Sequence, residues 1–188
     1  MGRPHRDLVA GGYYHVGSRG NNHAPVVVDR EDRMVFFHLL RRIERRYGWR
    51  IHVSCLMGNH YHLVLETPAP NLDKGMRDLN GGYARAFNER HGRKDHVFGR
   101  RYWSKSIESE AQYEATLEYV LHNPVHHGFV RRREDWNWAS APIVRPIDSP
   151  GVSRNRQADS PAVARRLSHG GAAPADRPRR QVQRRGLL

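Results

Sequence analysis

Ile51-His52-Val53-Ser54-Cys55-Leu56-Met57-Gly58-Asn59-His60-Tyr61-His62-Leu63-Val64-Leu65-Glu66 reads as two alternating runs joined by a short turn. Alternation with period two marks a strand with one face in the core. Met57-Gly58-Asn59 supplies the turn, so Arg50–Thr67 predicts a hairpin. In its second strand Tyr61, Leu63 and Leu65 share one face, and His60, His62 and Val64 share the other. The first face goes to the core. The second carries two histidines whose Cα atoms lie about 6.6 Å apart at the ~3.3 Å rise of a strand. Two neutral imidazoles at that spacing can converge on one divalent cation. A lone His-x-His is more often a pair of surface histidines, so the rest of the chain has to decide between the two readings.

Outward from the hairpin, Tyr13–Arg19 alternates and predicts a first strand, broken by Gly20-Asn21-Asn22. Asp29 can cap a helix that has Glu31 and Asp32 in its first turn and Gly48 after its end. Its apolar stripe is Phe36, Leu39, Leu40, Ile43 and Tyr47, with Arg41, Arg42, Arg45 and Arg46 mostly on the solvated side. After Thr67-Pro68-Ala69-Pro70, a second stripe of Leu72, Met76, Leu79, Tyr83 and Phe87 closes at Gly92. Gly81-Gly82 inside it costs roughly 1 kcal/mol per glycine, and a close approach by sheet or ligand is one explanation. Val97-Phe98 and Tyr102–Ile107 read as extended. A third helix opens at Ser109 or Glu110 and is expected to end near Asn123, because Pro124 follows. Trp136-Asn137-Trp138 is expected to pack a last turn onto the core. The order β-α-β-β-α-β predicts an α+β, ferredoxin-like antiparallel sheet of four to five strands with helices on one face.

The 188 residues carry a net charge of +13, and 29 of the 32 basic side chains are arginine. An arginine-rich proteome explains the ratio to lysine but not the excess charge. Arginine's planar fork suits phosphate, so nucleic acid is the expected partner. The single cysteine, Cys55, excludes an internal disulfide framework and a cysteine-based zinc site. No stretch approaches the ~20 apolar residues of a membrane span, and a signal-peptide core is missing at the N-terminus. The expected location is cytoplasmic, at the nucleoid. From about Pro146 the composition shifts to Arg, Pro, Gly, Ala and Ser with no aromatic residue. This predicts a domain over 1–145 and a basic disordered tail over 146–188. Residues 1–145 keep +7 of the charge.

Helical geometry separates two tyrosines in the third helix. Tyr113, Leu117, Val120 and Leu121 fall on one arc at 100° per residue and form its core stripe. Tyr119 projects nearly opposite, with Asn123 one turn further on. Tyr113 therefore reads as structural. Tyr119 reads either as a half-exposed surface residue or as a nucleophile beside an amide ligand, both facing the histidine pair. A phenol titrates near ~10 and is a weak nucleophile at neutral pH. A divalent metal at the histidine pair would polarise a phosphodiester for its attack.

Several stretches resemble a known family: Tyr14-His15-Val16 through Arg19-Gly20-Asn21-Asn22, Met57-Gly58-Asn59-His60-Tyr61-His62-Leu63 and Tyr83-Ala84-Arg85-Ala86-Phe87-Asn88. They continue with Phe98-Gly99-Arg100-Arg101-Tyr102-Trp103 and Leu117-Glu118-Tyr119-Val120-Leu121-His122-Asn123-Pro124-Val125. In this order, over about residues 10–140, they are similar to the single-tyrosine transposases of the His–hydrophobic–His superfamily, and most of all to the REP-associated tyrosine transposases. The resemblance implies a ferredoxin-like nuclease that cleaves and rejoins single-stranded DNA next to hairpins through a 5′-phosphotyrosine. It implies His60, His62 and Asn123 as ligands of Mg²⁺ or Mn²⁺, and Tyr119 as nucleophile. Arg19, Asn21, Arg85, Arg100 and Arg101, inside the matched stretches, are the DNA-binding candidates. The expected assembly is a monomer or a homodimer. Gly58 stands where the family often has proline, and His126-His127 where Arg-Ala is common.

Two other readings compete. A ferredoxin-like sheet with exposed aromatics can bind single strands without catalysis, and then neither the His pair nor Tyr119 matters to function. A water-using metallohydrolase of the histidine-triad or His-x-His-x-Asp-His type needs His or Asp where this chain has Val64.

Overall fold

The computed structural model describes residues 8–140. The predicted boundary at 145/146 and the tail lie outside them. The described chain runs β1 (Gly12–Arg19), α1 (Arg30–Tyr47), β2 (Arg50–Leu56), β3 (His60–Thr67), α2 (Leu72–His91), β4 (Trp103–Ile107), α3 (Glu110–His126) and β5 (Ala139–Ser140). The strands form one antiparallel sheet in the order β4-β1-β3-β2-β5. The first four have the ferredoxin-like arrangement that the β-α-β-β-α-β order implies. β5 adds two residues beside β2, just after Trp138, whose carbonyl accepts from Leu56 N at 3.0 Å.

Caps provided by the sequence mark both ends of α1, the end of α2 and the start of α3. Asp29 and Asp32 form a reciprocal capping box on α1, and left-handed Gly48 and Gly92 close α1 and α2. Asp32 is buried, and Arg90 (2.5 Å) and His91 (2.9 Å) engage it. The start of α1 is thereby fixed to the end of α2. Phe36, Leu40, Ile43, Met76, Leu79, Tyr83 and Phe87 pack onto Tyr14, Val16, Tyr61, Leu63 and Leu65, so α1 and α2 cover one face of the sheet as expected.

α3 lies on the other face. Tyr113, Leu117 and Val120 join Val53, Cys55, Val64 and Ile107 in a smaller second core. Tyr113 is thus structural, as its arc predicts. Its hydroxyl lies 2.7 Å from His52 Nδ1. His52 reaches it because β2 bulges: Ile51 pairs with Leu65 and Val53 with Val64, leaving His52 as the extra residue. The plain alternation expected of Ile51–Cys55 is broken there, and Ile51 packs on the α1/α2 side while Val53 and Cys55 face α3.

α3 does not stop near Asn123 as expected; it runs through Pro124 to His126. Proline lacks the N–H that would bond the Val120 carbonyl, but it sits in the last turn, where little of the helix remains to disrupt. His127 N to Asn123 O (3.1 Å) and Phe129 N to Pro124 O (2.9 Å) finish that end.

The Gly81-Gly82 pair has no packing reason. Nothing lies within 4 Å of a Cβ built on Gly81, and one on Gly82 would make ordinary contact with Leu39. The close approach is at Gly75, where a Cβ would stand 2.5 Å from Trp49 Cη2. That indole is buried and held by its Nε1–H to Asn71 Oδ1 at 2.7 Å. Gly75→Ala should therefore destabilise the fold by about 1–3 kcal/mol despite alanine's better helix propensity. Urea denaturation checks this, and a neutral or stabilising result would show that the indole can move aside.

Candidate active site

The second sheet face brings one row of residues together across three strands. Trp103 in β4 pairs with Gly17 in β1, which pairs with His62 in β3. Two pairs further on, and so on the same face, Arg19 sits opposite His60. A Cβ at Gly17 would come within 2.6 Å of Trp103 Cζ2. The missing side chain lets the half-exposed indole lie over the strand, 5.6 Å from the His62 ring and 4.6 Å from that of His15.

His60 and His62 are buried on the face the alternation predicts. His62 Nδ1 lies 3.1 Å from His15 Nε2, so one of these rings donates to the other. That anchors His62 and leaves its Nε2 with no hydrogen-bond partner among the described residues. His60 Nδ1 lies 2.7 Å from Asn59 Oδ1, and its Nε2 lies 3.1 Å from Asn123 Oδ1. An amide oxygen only accepts, so the first contact makes Nδ1 the protonated nitrogen of a neutral His60. The Nε2 lone pair then faces another acceptor, unless the Asn123 amide is turned.

Burial lowers the pKa of all three imidazoles. His15 falls to about 4, helped by Lys105. His62 falls to about 3, with the charges of His15, His60 and Arg19 adding to the burial, and His60 is lowered chiefly by burial. All three are neutral at neutral pH, the protonation state that ligates metal.

These donors suit a divalent cation. Cis ligands at about 2.1 Å from a six-coordinate metal stand about 3 Å apart, close to the His60–Asn123 spacing. A cation there would resolve the confrontation of two acceptors, and His15 and Asn59 would act as the outer partners that orient ligating histidines. Among the described residues no three His, Cys, Asp or Glu side chains form a metal-holding group; the third donor here is an amide.

Tyr119 lies at the rim of this cluster. Its ring is 46% exposed and stands 5.7 Å from His62 and 5.9 Å from His15. No described residue hydrogen-bonds its hydroxyl. Asn123, one turn on, is almost fully buried. It sits where the core arc of α3 meets the Tyr119 side rather than on an open face. His126 and His127 flank the same place, 6.4 Å from Tyr119 and 5.5 Å from His60 respectively.

Of the five expected DNA-contacting residues, Arg19, Asn21, Arg100 and Arg101 line one cleft of about 740 Å³ that reaches Trp103. Two backbone bonds shape it: Gly20 N to Asn59 O (2.8 Å) and Asn21 N to Val97 O (2.9 Å). Arg85 is not in it and lies on the wall of another cleft with Lys94 and Phe98. His15, Trp103 and His127 are the participants not picked out as site residues. His15 shows in the sequence only as a place in the β1 alternation; its partner depends on the strand order.

The family described as "Transposase IS200 like" covers residues 9–123, which includes both histidines, Tyr119 and Asn123. The chain belongs to the IS200-like transposase family. Two relatives bear out the kinship with REP-associated tyrosine transposases. A Haemophilus influenzae protein provisionally given that name is 26% identical over 105 residues, covering 50% of this chain and 60% of the relative. The Escherichia coli REP-associated tyrosine transposase is 24% identical over 119 residues, 61% of this chain and 70% of the relative. The chain thus spans less than two thirds of the Haemophilus protein's length. A solved REP-associated tyrosine transposase, bound to a REP hairpin, superposes with a TM-score of 0.63 at 19% identity over 74% of this chain and 82% of its own. At that identity it shows the shared fold. IS200-like transposases are DNA-processing enzymes. No helix among the described residues is long and apolar enough to cross a membrane.

Proposed function

We propose that this protein cleaves and rejoins single-stranded DNA next to hairpins, through a covalent 5′-phosphotyrosine on Tyr119. The observation that carries this is the grouping of Tyr119, neutral His60 and His62, and Asn123 at one end of α3. His60, His62 and Asn123 would hold Mg²⁺ or Mn²⁺, which when bound supplies Lewis-acid polarisation of the scissile phosphate.

The chain's own residues do the rest. Tyr119 presents its oxygen beside the site without a competing hydrogen bond from the described residues. Attack forms the Tyr119 O–P bond and breaks the P–O3′ bond. The phenol proton leaves to water, and the departing 3′-oxygen takes a proton to become a free hydroxyl. Attack by a 3′-hydroxyl on the phosphotyrosine reverses the sequence and rejoins a strand. Arg19, next to His60 in the register, supplies positive charge toward the phosphate.

The DNA partner is tested by gel shift. A hairpin with single-stranded flanks should bind at least several-fold tighter than perfect duplex, and both should weaken steeply with salt. The 146–188 segment adds salt-sensitive affinity through its arginines, so protein ending at Pro146 should bind less tightly at low salt yet still cleave. Equal affinity for duplex and flanked hairpin would contradict the substrate assignment. Binding with no cleavage under any metal would favour the non-catalytic reading.

A further inference from the structure

We propose that a single DNA strand entering or leaving the active site runs over the bare backbone of α2 at Gly81. The inference rests on the function proposed above and adds a path and a residue to it. Three clefts join end to end. The cleft of Arg19, Asn21 and Trp103, which borders the active site, shares Arg100, Arg101 and Tyr102 with a second of about 600 Å³. That one shares Asn80, Gly81 and Phe98 with a third of about 460 Å³, where Arg85 and Lys94 lie. Gly81 is the saddle between the last two. It is exposed and helical, and a Cβ built on it would meet no described atom within 4 Å. Glycine is a poor residue for the interior of a helix, and nothing in the fold requires it here.

The walls point to a polyanion. Arg77, Arg85, Lys94 and Arg100 are exposed and have no carboxylate partner among the described residues. The opposing acids are few: Asp73, already engaged by Tyr102 and Arg101, and Asp95. Aromatic rings stand along the way, with Trp103 half-exposed at the active-site end and Phe98 partly buried at the saddle. A basic channel with interleaved aromatics suits a single strand, whose bases are free to stack; a convex basic surface would suit duplex. With no Cβ at Gly81, the strand can approach the helix backbone closely.

The test separates binding from folding by sign. Gly81→Gln and Gly81→Ala place better helix formers in open space, so the denaturation midpoint should hold or rise. Affinity should move the other way. For a labelled hairpin with an oligo-dT flank, Gly81→Gln should raise Kd roughly tenfold, with Gly81→Ala in between. The same hairpin without its flank should bind both variants as it binds the unaltered protein. Arg85→Gln should lower the slope of log K against log salt by about one for the flanked probe. Unchanged affinity of Gly81→Gln for the flanked probe overturns the path. Equal weakening of the flankless hairpin assigns the groove to duplex and also overturns it. Failure of the unaltered protein to bind any of these probes overturns the function on which the path rests.

Discussion

Tyr119→Phe should abolish covalent capture of DNA and reduce cleavage by on the order of 10⁴- to 10⁶-fold, as removal of a nucleophile does. One oxygen is lost and the ring is kept. The residue is about half exposed and no described residue hydrogen-bonds its hydroxyl, so stability should change by no more than a few tenths of a kcal/mol. Tyr113→Phe is the matched control. It removes the same atom from the same helix, but from a buried ring 2.7 Å from His52 Nδ1. It should keep full activity and lose about 1 kcal/mol of stability, because a buried imidazole nitrogen is left without its partner. The contrast separates a chemical role from a packing role within one helix. A fully active Tyr119→Phe protein would remove the basis for assigning Tyr119 as nucleophile.

The second large effect concerns the histidine pair. His60→Ala with His62→Ala should reduce Mg²⁺- or Mn²⁺-supported cleavage to background, as chelator should with the unaltered protein. Mn²⁺ binding followed by calorimetry should disappear with it. DNA affinity should fall by only a few-fold, because the basic clefts remain. The double change also strands the His15 ring nitrogen that meets His62, so folding is checked by denaturation beside activity. His15→Gln is the finer probe: it keeps a polar partner for His62 while removing the imidazole, and should weaken Mn²⁺ binding by roughly 10- to 100-fold, as loss of an outer partner does. Undiminished cleavage by the double variant would sink the metal assignment.

Much of this fold could be read in the chain because the deciding signals are local. Asp29 with Asp32, and Gly48 and Gly92, mark helix ends by chemistry that acts within four residues. The alternation of His60–Leu65 assigned both faces of β3, and the arc of α3 separated Tyr113 from Tyr119. Readings that depended on distant partners fared worse. The bulge at His52 satisfies Tyr113, a residue sixty-one positions away. The His15–His62 contact needs β1 to lie beside β3, and no short window of sequence contains that fact. The Trp49 indole against Gly75 likewise needs the segment after α1 to reach the start of α2. Pro124 reads as a terminator because its missing N–H is costly inside a helix; at the last turn the cost is small, and α3 extends to His126 beside the site.

The most direct test is to identify the residue that DNA joins. The full chain is incubated with a labelled hairpin carrying single-stranded flanks and Mn²⁺, denatured, digested with protease, and the DNA-linked peptide is sequenced by mass spectrometry. The account predicts one modified residue, Tyr119, bearing a 5′-phosphate-linked nucleotide, and none when Tyr119→Phe is used. An adduct on Tyr113, on another tyrosine, or on a serine would contradict it.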